Sequence, residues 1–199
     1  MNEGIIREIS VKVIEMPLKK QWKIALYAQN TRAHAVIKVV TQDGIVGYGE
    51  AAPSPAFMGE TGYTMEVAIN RYLAPAIIGA NVFDVDIIHE KMNSAIYGNY
   101  AAKSAIDIAL YDIMGKMLNV PVYKLLGGGQ YRDKVALSWV VGMQDLDSSI
   151  EESREKLAEG YRVLKVKVGN SPEIDFNVLK RIREELGYDF PIRLDANQG

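Results

Sequence analysis

The chain has 199 residues, 48% hydrophobic and 24% charged, enough for one large domain or two small ones around a buried core. A formal net charge of −2 offers no basic field to nucleic acid, and no apolar run approaches the ~20 residues that a membrane span requires. There is no cysteine, which excludes disulfides, thiolate metal sites and cysteine nucleophiles.

Residues 5–15 alternate and are β-branched, and they predict a strand that ends at Met16-Pro17-Leu18. Residues 19–31 read as a mixed polar and aromatic loop. Residues 35–40 predict a second strand, Gln42-Asp43-Gly44 a hairpin turn with glycine at a positive-φ position, and residues 45–50 the return strand. The result is a three-stranded antiparallel meander. A second loop opens at Ala51-Ala52-Pro53-Ser54-Pro55 and reaches Thr61. Thr64 is set to cap a helix as far as Ile78, with Gly79 as its stop, and Asp84 to cap another through Met92. Residues 101–118 carry Ala105, Ile106, Ala109, Leu110, Ile113, Met114 and Met117 at helical spacing, and the alanines predict close packing. Residues 121–126 are a short helical coda, and Gly127-Gly128-Gly129 marks a boundary.

Beyond that boundary strand and helix alternate. Residues 135–141 predict a strand, and Asp147 or Ser148 begins a helix that stops at Gly160. Residues 163–168 are the next strand. Pro172 stands at a first helical position, Gly187 stops that helix, and residues 192–195 form another strand. This β-α-β-α-β order predicts parallel strands with right-handed crossovers, as in a (β/α) barrel or a doubly wound sheet.

Lys165 and Lys167, two apart on one strand, share a face opposite Leu164, Val166 and Val168. In a sheet covered on both sides two lysines are costly to bury. In a barrel the same face is the lumen, and the C-terminal strand ends face the active site. Taken alone, Lys-x-Lys is also a half-exposed edge strand with solvated lysines, and Asp195 is also a turn or N-cap residue. Together they form a coherent chemical set. A lysine amine can remove a proton beside a carboxylate when a neighbouring ammonium and a divalent cation favour its neutral form. Asp195 is an oxygen ligand suited to Mg²⁺. Such a metal would also stabilise the negative charge that builds on the substrate carboxylate oxygens as an enediolate forms. The two histidines, His34 in a strand-like run and His89 beside Glu90 in a helical one, are expected in ordinary surface or half-buried roles.

Four separated segments carry a resemblance. They are Gly47-Tyr48-Gly49-Glu50-Ala51-Ala52-Pro53-Ser54-Pro55; Ser104-Ala105-Ile106-Asp107-Ile108-Ala109-Leu110-Tyr111-Asp112 with Leu125-Leu126-Gly127-Gly128; Leu164-Lys165-Val166-Lys167-Val168-Gly169; and Arg193-Leu194-Asp195-Ala196-Asn197-Gln198-Gly199. In this order they resemble the N-terminal part of an enolase-superfamily enzyme of the muconate-lactonizing subgroup (mandelate racemase/muconate lactonizing enzyme family), most like a dipeptide epimerase. Sites of that superfamily pair a lysine or histidine base with Mg²⁺. The resemblance implies an α+β capping domain at residues 1–128 and the start of a (β/α)7β TIM-like barrel at residues 129–199. It implies Lys167 as the acid/base lysine, Lys165 as its partner, Asp195 as the first of three Mg²⁺ carboxylates and Asn197 as the amide that supports it. Two capping-domain loops, residues 18–31 and 53–61, would close on a small carboxylate substrate, so Trp22, Lys23, Tyr27 and Phe57 are candidate substrate contacts. Ser138, expected near the top of the first barrel strand, is another.

Tyr27 stands where Ala-Glu epimerases of the family usually carry an arginine. That departure points to a dipeptide with an apolar or cationic side chain, while simple loop packing by Tyr27 and Trp22 is the other reading. The resemblance places the remaining metal carboxylates and the opposing lysine on later strands. The expectation is therefore that this polypeptide alone is inactive as an epimerase and binds Mg²⁺ poorly. Homo-oligomerisation, or association through the open barrel edge, is expected too. Muconate cycloisomerase, o-succinylbenzoate synthase and N-acylamino acid racemase are the alternative activities, and a half-barrel assembly or binding module is the non-enzyme alternative. The start, Met1-Asn2-Glu3-Gly4, has no charged-then-apolar export pattern, so a cytoplasmic location is expected.

Overall fold

The structure, a computed structural model, describes residues 3–23, 27–129 and 134–197. Strand β1 (Ile6–Lys23) and strand β2 (Ala28–Thr41) run through the segment expected to be a loop, so most of residues 19–31 is the outer part of a β-hairpin. Pro17 does not end β1, because β1 is the outer strand of its sheet and an edge position tolerates the missing N–H. β3 (Val46–Ala51) pairs antiparallel with β2, from Ala35 opposite Ala51 to Val40 opposite Val46. Gly44 in the connecting turn has φ 87°, as its position requires.

Four short or medium helices follow. α1 (Pro55–Met58) lies in the second loop and is closed by a bridge between Ser54 and Glu60. α2 (Gly62–Ala68) is capped by Thr61, not Thr64. Thr64 N–H donates to Thr61 Oγ1 at 3.1 Å while Thr61 N–H donates to Thr64 Oγ1 at 2.8 Å, a reciprocal capping box. The helix expected to run unbroken to Ile78 widens into a π turn (Ile69–Leu73) before α3 (Ala74–Ile77). Pro75 has no N–H to donate and its ring crowds the preceding turn, which the wider turn accommodates. α4 (Val85–Ala95) begins after Asp84, although the Asp84 side chain makes no capping hydrogen bond.

α5 (Tyr100–Leu118) lies on β3. A Cβ on Gly49 would fall 1.8 Å from the Ala105 carbonyl oxygen, and one on Gly47 2.2 Å from that of Ala109. Glycines on the strand and alanines on the helix therefore bring the two backbones together, as the alanine spacing predicted. The first N–H groups of α5 are satisfied from outside the helix: Ala101 and Ala102 donate to the buried Glu60 carboxylate at 2.9 and 3.1 Å. α6 (Val122–Leu125) is the short coda.

The later elements alternate as expected. They are β4 (Ser138–Val141), α7 (Leu146–Ala158), β5 (Val163–Lys167), α8 (Pro172–Leu186) and β6 (Ile192–Asp195). Asp145 caps α7, not Asp147 or Ser148, and Ser148 N–H donates to Asp145 Oδ1 at 2.9 Å. Ser171 caps α8, with Pro172 in its first turn. The sheet order is β4-β5-β6, all parallel. Val141, Leu164 and Val166 pack with Ile150, Ile182 and Phe190 in one core. The chain divides into two compact units, Met1–Pro17 with Thr31–Asp133 and Leu18–Asn30 with Lys134–Gly199. The outer hairpin thus belongs with the parallel strands. Among the described residues no helix is long and apolar enough to cross a membrane.

Candidate active site

The parallel register sets Lys165 opposite Arg193 and Lys167 opposite Asp195. Leu164 and Val166 go into the core, so Val163, Lys165 and Lys167 occupy the other face. At the C-terminal end of that face two lysine side chains and one backbone N–H converge on one carboxylate. Lys167 Nζ donates to Asp195 Oδ2 at 2.8 Å, and Lys165 Nζ lies 2.7 Å from the same oxygen. Lys167 also donates to Asn197 Oδ1, and Asn197 N–H donates back to Asp195 Oδ1 at 3.0 Å. Asn197 makes this turn at φ 48°, a left-handed conformation that asparagine adopts more readily than most residues.

Exposure separates the two lysines: the Lys167 side chain is 8% exposed and that of Lys165 36%. Lys165 first, then Lys167, hold the Asp195 carboxyl well below the usual carboxylate range, so it is ionised at neutral pH. Arg193 is level with Lys165 in the register, so this face of the sheet carries three cations to one carboxylate, an arrangement suited to a further anion. A small gap of about 10 Å³ at the end of β5 is lined by Lys167 with Gln144 and Asp175 and, on the helix-packed side, by Val166 and Val178.

The structure thus brings together Lys165, Lys167, Asp195 and Asn197. Ser138 is the correction. It is the first residue of β4 and pairs with Val163, so it shares the lysine face but sits at the opposite strand end, about 13 Å along from the level of Lys167. Trp22 and Tyr27 are half-buried in the outer hairpin, and Lys23 is exposed there with its carbonyl accepting Met143 N–H at 3.5 Å. Phe57 is exposed on α1, in the other compact unit. His34 pairs with Glu50 at 2.5 Å and His89 with Asp107 at 2.6 Å, neither near the lysines in sequence or sheet. Sequence reading missed Gln144 and Asp175, since nothing in their spacing marks them. Among the described residues no group of three or more His, Asp or Glu side chains is placed to hold a metal ion. Asp195, a hard oxygen donor, fits as one ligand of Mg²⁺ but is not a full set.

The chain is thus an α+β unit followed by parallel strand–helix units, with two lysines and a carboxylate at the strand ends. Residues 8–127 match the mandelate racemase / muconate lactonizing enzyme N-terminal domain, and residues 149–199 match the enolase C-terminal domain-like family. The chain belongs to the mandelate racemase / muconate lactonizing enzyme family of the enolase superfamily, as its four motifs implied.

It is 37% identical over 195 residues to an L-Ala-D/L-Glu epimerase of Clostridium acetobutylicum, across 98% of this chain and 54% of that protein. The crystal structure of N-succinyl Arg/Lys racemase from Bacillus cereus is similar at TM-score 0.93 and 36% identity, covering 98% of this chain and 53% of that one. The dipeptide epimerase from Enterococcus faecalis, complexed with Mg and dipeptide L-Leu-L-Tyr, is similar at TM-score 0.92 and 37% identity, covering 97% and 54%. Cycloisomerases are also among the relatives. The chain spans about half the length of the curated relatives it matches.

Proposed function

We propose that this chain carries the first part of a Mg²⁺-dependent proton-transfer site that epimerises a dipeptide through an enediolate of its carboxylate. The convergence of Lys165 and Lys167 on Asp195 Oδ2 is the observation that carries this reading. Lys167 is the acid/base group on one face of the α-carbon, and inversion needs a second on the opposite face, which the family resemblance places on a later strand. The low exposure of Lys167 keeps competing water from the amine. Lys165, more exposed and held beside the same carboxylate, supplies a second positive charge and a contact for the substrate carboxylate. Asn197 orients Lys167 and Asp195 through its side-chain oxygen and its N–H.

Asp195 is one oxygen ligand of Mg²⁺ in this reading. When bound, Mg²⁺ supplies charge that stabilises the negative substrate carboxylate oxygens. Residues 1–128 are taken as the capping domain and 129–199 as the beginning of the barrel domain, which the two family matches support. Trp22 and Tyr27 offer aromatic surface to the substrate side chain, and no arginine stands among the hairpin residues 18–30. An apolar or cationic side chain therefore suits the site better than glutamate.

The test is a dipeptide library incubated in D₂O with Mg²⁺ and a full enzyme in which later barrel strands complete this part of the site, read by mass spectrometry for deuterium at the α-carbon. Deuterium gain from a subset of dipeptides, lost in Lys167→Ala, is the expected result. If no dipeptide exchanges while N-acylated amino acids do, the dipeptide reading is wrong.

A further inference from the structure

Glu152 is a buried carboxylate on α7, 9% exposed, in a polar stripe with the buried Ser149 and Ser153. Three donors reach it from three parts of the chain. Trp139 Nε1, on β4, donates to Oε1 at 2.9 Å, and Gln144 Nε2, from the loop after β4, donates to Oε2 at 2.7 Å. The third is Lys20 Nζ, from the outer part of β1, which pairs with Oε1.

The Trp139 side of this cluster is packed on both sides. The Trp139 indole is held by the Lys156 ammonium 4.6 Å from its ring and by an edge contact with Tyr161 at 5.3 Å. The Lys20 side is not, since that side chain is 54% exposed. Lys20 is therefore the member able to leave, and Glu152 stays, fixed by two neutral donors but without its counter-charge. Three residues further along β1, the Lys23 carbonyl accepts Met143 N–H. Met143 and Gln144 lie in the loop after β4 and line, with Lys167, the small gap at the end of β5. The outer hairpin is thus tied to α7 through Lys20, a charged contact, and to the loop after β4 through the Lys23 carbonyl.

We propose that Lys20 and Glu152 form an ionic latch that holds the outer hairpin, residues 18–23 and 27–30, against α7 and the loop after β4. Both are positioning residues for substrate binding. The effect on substrate rests on the proposed function, whereas the latch itself does not.

The test compares wild type, Lys20→Met and Lys20→Arg in the intact protein by hydrogen–deuterium exchange. Lys20→Met should speed exchange across residues 18–30 by about tenfold, the change for losing a charge-assisted hydrogen bond. Exchange in α7 and β4 should stay as in wild type, and Lys20→Arg should restore the slow pattern. With a turned-over dipeptide, Lys20→Met should raise KM by about fivefold and leave kcat within about twofold, the pattern of lost uniform binding.

Unchanged exchange in residues 18–30 overturns the latch. Equal acceleration throughout α7 and α8 overturns it too, because Lys20 would then only stabilise the unit. A local exchange change with an unchanged KM overturns the positioning role. If the local change is seen but wild type turns over no dipeptide, the latch stands and the proposed function fails.

Discussion

In the antiparallel sheet, β3 turns Gly47, Gly49 and Ala51 toward a helix, and its other face carries Tyr48 and Glu50 in solvent. In the parallel sheet, β5 turns Leu164 and Val166 toward helices and keeps Lys165 and Lys167 on the opposite face, where they meet Asp195. Both strands alternate, yet the first uses alternation to bring two backbones into contact and the second to segregate charge. The close glycine–alanine contact stabilises and leaves no room for chemistry. The second sheet gives the C-terminal end of one face to charged groups, and among the described residues its core is small: six buried side chains, Val141, Ile150, Leu164, Val166, Ile182 and Phe190.

Substitutions can break this contrast. The largest effect is expected for Lys167→Ala, which should reduce α-proton exchange by about a thousandfold, a typical loss for an acid/base group. Its thermal midpoint should remain near that of wild type. A thermal loss as large as the activity loss would show that Lys167 is structural.

Next comes Gly49→Ala. A methyl placed 1.8 Å from the Ala105 carbonyl oxygen has only backbone to displace, so about 3 kcal/mol of unfolding free energy should go. Denaturant titration measures this, and near-wild-type stability would mean that α5 can lift from β3 without cost.

Thr61→Ala removes one half of the capping box and should cost about 1 kcal/mol, whereas Thr64→Ala leaves the Thr61 oxygen on its N–H and should cost less. Equal losses would mean that the two hydroxyls act only as a pair.

The smallest effect concerns Asp145. Hydrogen bonds from the Ser148 side chain and N–H hold its carboxyl below the usual range. The folded form thus binds its proton less readily than the unfolded form, so the cap contributes fully above the unfolded value of about 3.9. That contribution is lost as pH falls through the lower folded value. A thermal-midpoint series against pH should show a shallower acid limb for Asp145→Asn, and identical limbs would remove Asp145 from the acid response.

Much of this was legible along the chain. The alternation of residues 35–50, the helical spacing in residues 101–118 and the strand–helix alternation after residue 134 each record a local period, and the elements follow them. The outer hairpin was not legible. Among its described residues many side chains are exposed and the rest half-buried, so that part of the sequence has no period to read. Competing caps were also ambiguous. Asp145, Asp147 and Ser148 all offer suitable oxygens, and the connection from β4 decides which one meets the helix start. Glu152 looks in sequence like one more solvated residue among Glu151, Ser153 and Arg154. It is buried because Trp139, Gln144 and Lys20 come to it from elsewhere.

By itself the sequence determined the family, most of the order of strands and helices and the four residues of the lysine–aspartate cluster, because motif order and strand periodicity are properties of the chain. Tertiary structure alone decided the rest. The register set Lys167 level with Asp195 and put Ser138 at the far end of β4. Packing extended a loop into a hairpin and turned Glu60 and Glu152 into buried acceptors. Those outcomes depend on which segments meet across the sheet and between helices, and no local pattern encodes that meeting.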